Sequence, residues 1–377
     1  MRVALNMIWF GASAGGIGRY GRELVGALLA LRPDLRLHLV VSRDVPVDLR
    51  AEPWAQDVRW EVMPVRLSGP PFHLAAQLAG LPALALARRV ALVHGLANVV
   101  PVRIPRVRSV VTLHDLIWLH EGAAWGDARA VRAVRRLSLM SARGADRVLA
   151  ASHAAARDFT ATVGIDAAKI DVAPHGVSQP AITVHDEAAV RARHHLPDRN
   201  VILCVAQKRP YKNLAVLIRA LAALEEAVLV LPGAPTAHEQ ELRALALALG
   251  VADRVRHLGW VEDRELDGLY AVASCLALPS RSEGFGLPAL EAMRRGVPVA
   301  CADRSALPEV AGDAALLFDP DDQDGVTAAL RTLLHDRAHA EELVRRGHER
   351  VRSFTWEHTA QLTLDSYERA LGSSGSA

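Results

Sequence analysis

Cys275-Leu-Ala-Leu-Pro-Ser-Arg-Ser-Glu-Gly-Phe-Gly-Leu-Pro-Ala-Leu-Glu-Ala-Met-Arg-Arg-Gly-Val-Pro-Val-Ala300 reads as strand, glycine loop, helix and strand, in that order. Residues 275–278 are a short apolar run. Pro288 suits a first helical position, where its missing N–H costs nothing, and Gly296 before Val297-Pro298 gives the stop signal. Strand, helix and strand in succession is the unit from which parallel sheets are built. Within this unit Glu283 and Glu291 stand eight positions apart around the helix start. The N–H groups of Gly286, Leu287 and Ala289, with the positive end of the helix dipole, suit an anionic oxygen. A carboxylate accepts hydrogen bonds from two neighbouring hydroxyls, so the passage reads as a polyol and phosphate site, Glu283 before the helix and Glu291 in its first turn. The plainer alternative is that Glu291 merely favours the dipole and Glu283 is solvated.

Outward from this unit the same alternation fills the chain. A first series of strands is expected at residues 3–9, 36–41, 91–93, 109–113, 147–150 and 170–172, with helices between them, notably 18–31 and 152–163. A polar passage, 178–186, reads as a linker. A second series follows at 200–205, 227–231, 254–258, 275–278, 297–300 and 314–318. Ligands of open α/β sheets bind beyond the carboxyl ends of the strands, so two such domains facing each other make an interdomain cleft. The tail 372–377 is low in complexity.

Composition narrows the partners. A length of 377 residues argues for two domains, and a 51% hydrophobic share suffices for both cores. The formal net charge of +2 gives no general reason to expect nucleic acid. Cys204, Cys275 and Cys301 sit in apolar runs without metal-ligand spacing, which fits buried thiols in a reducing, cytoplasmic compartment. No signal peptide is expected, since Met1-Arg2 leads directly into strand-like sequence. The longest uncharged run, 67–87, is interrupted by glycine, proline, histidine and glutamine, so the chain reads as soluble or peripheral.

Four further clusters carry chemistry. Gly15-Gly-Ile-Gly-Arg-Tyr-Gly21 contains a literal G-x-G-x-x-G, but residues 10–14 intervene after the strand and Gly21 falls inside the expected helix. Gly15 and Gly16 read better as a loop whose N–H groups approach a diphosphate; close packing of helix on strand is the alternative. Lys212 stands just before the helix expected at 214–224, where an unpaired cation is unfavourable, with Lys208 and Arg209 as helpers; a solvated loop is the alternative. His114 ends the strand 109–113, with Asp115 placed to orient it. Arg129, Arg132, Arg135, Arg136 and Arg143 recur along a helix, either as solvated surface or as a patch for anionic lipid or a phosphorylated acceptor. Among the other histidines, His175 reads as a turn residue and His194-His195 as solvated loop. Asp319-Pro-Asp-Asp322 reads as a turn and cap before a helix at 325–334.

Taken in order, Gly15-Gly16, Leu113-His114-Asp115, Ala145-Asp-Arg-Val148, Ala151-Ser152, Ala173-Pro-His-Gly-Val177, Lys212-Asn213, Glu283 to Glu291 and Ala306-Leu-Pro-Glu-Val310 resemble the retaining glycosyltransferases of family 4, over nearly the whole chain. The resemblance implies the GT-B fold, two facing Rossmann-like domains. It implies an acceptor-side domain at 1–178, a donor domain at 179–355, and a last helix at 356–377 crossing back to the first. It further implies transfer of a hexose, mannose preferred, from a nucleoside diphosphate sugar to a saccharide or lipid-linked acceptor, with retention, no metal and no cofactor. Glu283 resembles the acid that holds the sugar's hydroxyls and Glu291 the one that holds the ribose. Phe285, Gly286 and Leu287 resemble the backbone segment on sugar and phosphate, Lys212 the lysine on the diphosphate, Gly16 the glycine opposite it, and His114 the histidine beside the donor sugar. Near the family's arginine stand Gln207 and Arg209. The acceptor is read by loops including 68–73 and 118–127. The implied setting is cytoplasmic, peripheral on the inner membrane face. The rivals are a nicotinamide-dependent oxidoreductase built on Gly16 to Gly21, a glycoside hydrolase using Glu283 and Glu291, and a non-catalytic nucleotide-sugar binding protein.

Overall fold

The computed structural model describes residues 1–10, 15–66, 75–101, 103–121, 129–180 and 186–372, without the side chains of residues 129–131. The expected segments 10–14, 68–73, 118–127, 178–186 and 372–377 therefore fall wholly or partly outside the described residues, as does the Arg129 side chain. The chain forms two compact units, Met1–Gly176 with Thr355–Ala377, and Val177–Phe354.

Among the described residues, the first unit holds seven parallel strands: β1 (Arg2–Met7), β2 (Arg36–Val41), β3 (Arg59–Val62), β4 (Leu92–Gly95), β5 (Arg108–Leu113), β6 (Arg147–Ala150) and β7 (Ile170–Val172), in the order β3-β2-β1-β4-β5-β6-β7. Alternation along each strand sorts its apolar side chains to both faces, as a covered parallel sheet demands. Val3, Leu5 and Met7 pack with the helix Gly15–Leu31 and the last helix, Trp356–Gly372, whereas Ala4 and Ile8 pack with the helix Leu81–Arg88 on the other face. The last helix is tied down by hydrogen bonds from Thr359 Oγ1 to the Pro174 carbonyl, 2.6 Å, and from Ser366 Oγ to Asp171 Oδ2, 2.7 Å.

Some boundaries differ from expectation. β3 is an added edge strand whose sequence, Arg-Trp-Glu-Val, lacks an apolar run; Glu61 is buried there by pairing with His38 and Arg88. The helix expected from residue 18 starts at Gly15, so Gly15 and Gly16 form its first turn and not a loop before it. Its Gly21 serves packing: a Cβ there would lie 2.3 Å from the Phe10 ring. Close packing is also what the third glycine of a dinucleotide fingerprint provides, so Gly21 by itself does not separate the two readings.

The second unit repeats the plan with six parallel strands among its described residues: β8 (Asn200–Leu203), β9 (Ala227–Leu231), β10 (Val255–His257), β11 (Cys275–Leu278), β12 (Val299–Ala302) and β13 (Ala315–Phe318), ordered β10-β9-β8-β11-β12-β13. In both sheets the order reverses beside the first strand, which creates a switch point, between β1 and β4 and between β8 and β11. The turn at Asp319–Asp322 caps a helix as expected, with the Asp322 carboxylate accepting from the N–H groups of Asp324 and Gly325. His194 departs from expectation: it is buried, 3.4 Å from Glu265, and not solvated.

Candidate active site

The loops that follow β8 and β11 leave adjacent strands at the switch point of the second unit, and this brings Lys212 to Glu283. Lys212 ends a short turn, Pro210–Lys212; Asn213 then takes a left-handed conformation, φ 54°, and its amide donates to the Pro320 carbonyl at 2.8 Å before the helix Leu214–Leu221 begins. Lys212 Nζ lies 2.6 Å from Glu283 Oε1, with the two side chains only 16% and 12% exposed. Burial alone lowers a lysine's pKa, but the Glu283 carboxylate and Tyr211 outweigh it and hold Lys212 above its ordinary value.

Glu283 is held from behind by a residue that the sequence did not single out. Ser305 accepts from the Glu283 N–H at 3.1 Å and donates to its carbonyl at 2.6 Å, and does so from a left-handed conformation, φ 60°. The loop is fixed again where the Arg281 N–H donates to the Tyr211 carbonyl, 2.9 Å. Phe285 is buried edge-on to Phe354, centroids 5.9 Å apart. Gly286 caps the helix Leu287–Arg294 at φ 97°, with Leu307 so close that a Cβ would lie 2.6 Å from it. Leu287 opens the helix, half-buried.

Two details of this segment correct the sequence reading. The Ala289 N–H closes a turn onto the Gly286 carbonyl, 3.0 Å, so it is not among the donors offered to an anion. Because the helix starts at Leu287, Glu291 is in its second turn, not its first, and a dipole contact is no account of it. Its carboxylate is buried and accepts from Tyr270 Oη at 3.1 Å, another contact without a sequence signal.

The helpers of Lys212 part company. Lys208 is wholly buried; its ammonium donates to the carbonyls of Gly233 and Leu258, tying the ends of β9 and β10 together, so it is a structural strut and not a ligand group. Arg209 is half-buried and donates from Nε to Gln207 Oε1 at 3.0 Å, so the two candidates for the family's arginine position are bonded to each other.

In the first unit, Gly16 is exposed, and a Cβ there would meet no described atom within 4 Å. Close packing therefore explains Gly21 and not, among the described residues, Gly16. His114, at the end of β5, is oriented by the Leu96 carbonyl, 2.8 Å from Nε2, and its N–H donates to Asn98 Oδ1 at 2.9 Å. The Asp115 carboxylate, expected to orient it, instead accepts from the Ile117 N–H at 3.0 Å. Burial lowers the His114 pKa to about 4, so the ring is neutral near pH 7 with its Nε2–H on the carbonyl. Tyr20 stands edge-on to His114 at 5.1 Å and stacks on His175 at 4.7 Å, which in turn stacks on Trp356 at 6.0 Å. Beneath them a buried polar chain joins Tyr20 Oη, Thr112 Oγ1, His94 and Tyr367 Oη at 2.7–2.8 Å per link. Among the described residues no cluster of three metal-ligating side chains occurs, and no helix is long and apolar enough to cross a membrane.

Residues 14–179 match the family model described as Glycosyltransferase Family 4, and residues 186–350 match Glycosyl transferases group 1. The chain is 35% identical over 184 residues to O-antigen chain mannosyltransferase B of Escherichia coli, covering 48% of each. It is 34% identical over 294 residues to D-inositol 3-phosphate glycosyltransferase of Kineococcus radiotolerans, covering 71% of this chain and 67% of that one. It thus spans about half to two thirds of the length of these curated relatives. The solved structure of Anabaena HepE in complex with UDP-glucose superposes with a TM-score of 0.76 at 19% identity, over 98% of this chain and 99% of that one. Doubled parallel sheets with matching switch points, and a family match lying on each, lead to one conclusion: the chain belongs to the family 4, group 1 glycosyltransferases and has their GT-B fold.

Proposed function

We propose that this protein is a glycosyltransferase that moves a hexose, mannose in preference, from a nucleoside diphosphate sugar to a hydroxyl of a saccharide or lipid-linked acceptor, with retention and without a metal. The observation that carries the reading is the Lys212–Glu283 pair at the switch point, a cation for phosphate beside an acid for hydroxyls. As the bond from the anomeric carbon to the leaving oxygen breaks, charge accumulates on the diphosphate, and fixed positive groups there lower the barrier. Lys212 supplies one, Arg209 a second, and the start of the helix Leu287–Arg294 adds its dipole. Phe285, Gly286 and Leu287 offer backbone to sugar and phosphate, Glu283 takes the sugar's hydroxyls, and Glu291 takes the ribose. From the first unit, Gly15 and Gly16 are assigned to the diphosphate and His114 to the sugar, where a neutral ring exchanges hydrogen bonds without adding charge. The new bond to the acceptor oxygen forms on the face that the diphosphate leaves, and the departing phosphate oxygen takes the acceptor's proton.

The name of the Escherichia coli relative favours mannose, and the ligand of HepE favours a nucleotide sugar. Exposed Arg132, Arg136 and Arg143 share one side of the helix Arg129–Gly144, which supports a peripheral contact with an anionic membrane on the cytoplasmic side. Thermal unfolding with UDP, GDP, ADP and dTDP tests the donor: a ligand at about 100 times its Kd adds about 2.7 kcal/mol. Stabilisation by one of the four is expected, followed by turnover of its hexose conjugate, GDP-mannose first. No stabilisation by any of them removes the reading.

A further inference from the structure

Glu291 is 5% exposed, on a helix whose neighbours could bury a leucine at no electrostatic cost. A buried carboxylate adds little stability over an apolar side chain, so its presence asks for a purpose. Three further side chains converge on it. Asp267 and Tyr270 lie three residues apart on the helix Asp263–Ala271 and so share a face of it, and Arg295, which caps the carboxyl end of the facing helix, follows Glu291 by four positions. Tyr270, wholly buried, places its hydroxyl 3.1 Å from Glu291 Oε2 and 3.5 Å from the Pro288 carbonyl. The Arg295 guanidinium lies 4.8 Å over the Tyr270 ring and donates to the Glu291 carbonyl at 2.9 Å. Asp267, 3% exposed, holds that guanidinium through Nε at 2.9 Å. The phenol is thus fixed on its ring face and at its hydroxyl, and the carboxylate plane is fixed by the phenol.

We propose that Tyr270, braced by Arg295 and Asp267, is a positioning residue that sets the Glu291 carboxylate for the vicinal hydroxyls of the donor's ribose, and so sets preference for ribonucleotide over deoxyribonucleotide donors. The proposal rests on the assignment of Glu291 to the ribose. A carboxylate meets two neighbouring hydroxyls well only in one plane, so freedom to rotate about its terminal bond weakens the diol contact while leaving phosphate contacts alone. Loss of one hydrogen bond to a charged group corresponds to roughly a tenfold change in affinity.

The experiment is calorimetric binding of UDP, GDP and ADP and of their 2′-deoxy and 3′-deoxy counterparts to the wild type, Tyr270→Phe, Asp267→Asn and Glu291→Gln. The wild type is expected to prefer the ribonucleotide by roughly tenfold or more. Tyr270→Phe, which keeps the ring, is expected to narrow that preference at least about threefold by weakening ribonucleotide binding alone, with Asp267→Asn doing the same through Arg295. Should Tyr270→Phe not fold, Asp267→Asn carries the test. If Glu291→Gln narrows the preference and the brace variants leave it intact, or weaken both nucleotides equally, the role of Tyr270 is overturned while the ribose assignment stands. If the wild type shows no preference, or Glu291→Gln does not change it, the ribose assignment fails and takes the proposal with it.

Discussion

Lys212 Nζ donates to Glu283 Oε1 at 2.6 Å although the two residues stand 71 positions apart. Their loops leave strands that are neighbours in the sheet and distant in the chain, so the contact is a product of the switch point. Each charge is largely buried, and each makes the other tolerable there.

Replacing either residue with alanine is expected to lower kcat more than tenfold, because in the proposed function Lys212 stabilises charge at the leaving diphosphate and Glu283 grips the sugar. Since the two are in contact, the double variant should lose less than the product of the single losses. Steady-state kinetics of the three variants checks this, and unchanged turnover in either single variant removes its assigned role.

Gly286→Ala should be costly twice over. Its φ of 97° strains any L residue, and the new Cβ would lie 2.6 Å from Leu307 Cδ2. A loss of about 2–4 kcal/mol is expected in urea unfolding, with Leu307→Ala in the same chain recovering the steric part only. Full recovery would show that the backbone conformation is not strained.

Acid should destabilise the first unit before its carboxylates titrate. Burial lowers His94 to about 3 and His114 to about 4, and holds His175 well below the ordinary histidine range, with the charge of His114 adding to the last. These rings stay neutral when folded and take up protons when unfolded, near pH 6.5. Their contribution is therefore complete above about pH 6.5 and is lost as pH falls toward 4, by up to about 1.4 kcal/mol per pH unit for each ring. Urea midpoints at pH 7.5 and 5 test the sign; equal midpoints contradict it.

Tyr367→Phe and Thr112→Val cut the buried chain from the last helix to Tyr20 at different links. Each is expected to cost about 1–3 kcal/mol by orphaning a buried partner, and the pair less than the sum. Hydrogen exchange in Trp356–Gly372 should rise in both variants; protection equal to wild type would mean that the helix is held without this chain, by its apolar contacts and the bonds of Thr359 and Ser366.

Much of this was legible in the sequence, where local signals suffice. The apolar runs at 36–41, 227–231 and 275–278 are strands at those bounds, and a helix stands where Pro288 and Gly296 promised one, although it starts at Leu287 and puts Pro288 second, not first. Family motifs singled out Glu283, Lys212 and His114, but not what supports them. Ser305 and Tyr270 carry no motif, and their contacts with Glu283 and Glu291 span 22 and 21 positions. The burial of Lys208 was equally hidden, because a lysine among Gln207 and Arg209 looks solvated until the carbonyls of Gly233 and Leu258 are seen around it. β3 escaped because pairing, not apolar character, buries Glu61.

The helix Trp356–Gly372 belongs to the first unit although the whole second unit, Val177–Phe354, intervenes in the chain. For a polypeptide emerging amino end first, this fixes an order of biogenesis. The second unit can complete its sheet while the first, though translated earlier, still exposes the apolar surface that Trp356, Leu364 and Tyr367 will cover. A chain ending at Phe354 would thus carry one complete unit and one open one, and the open one is where a chaperone has something to hold.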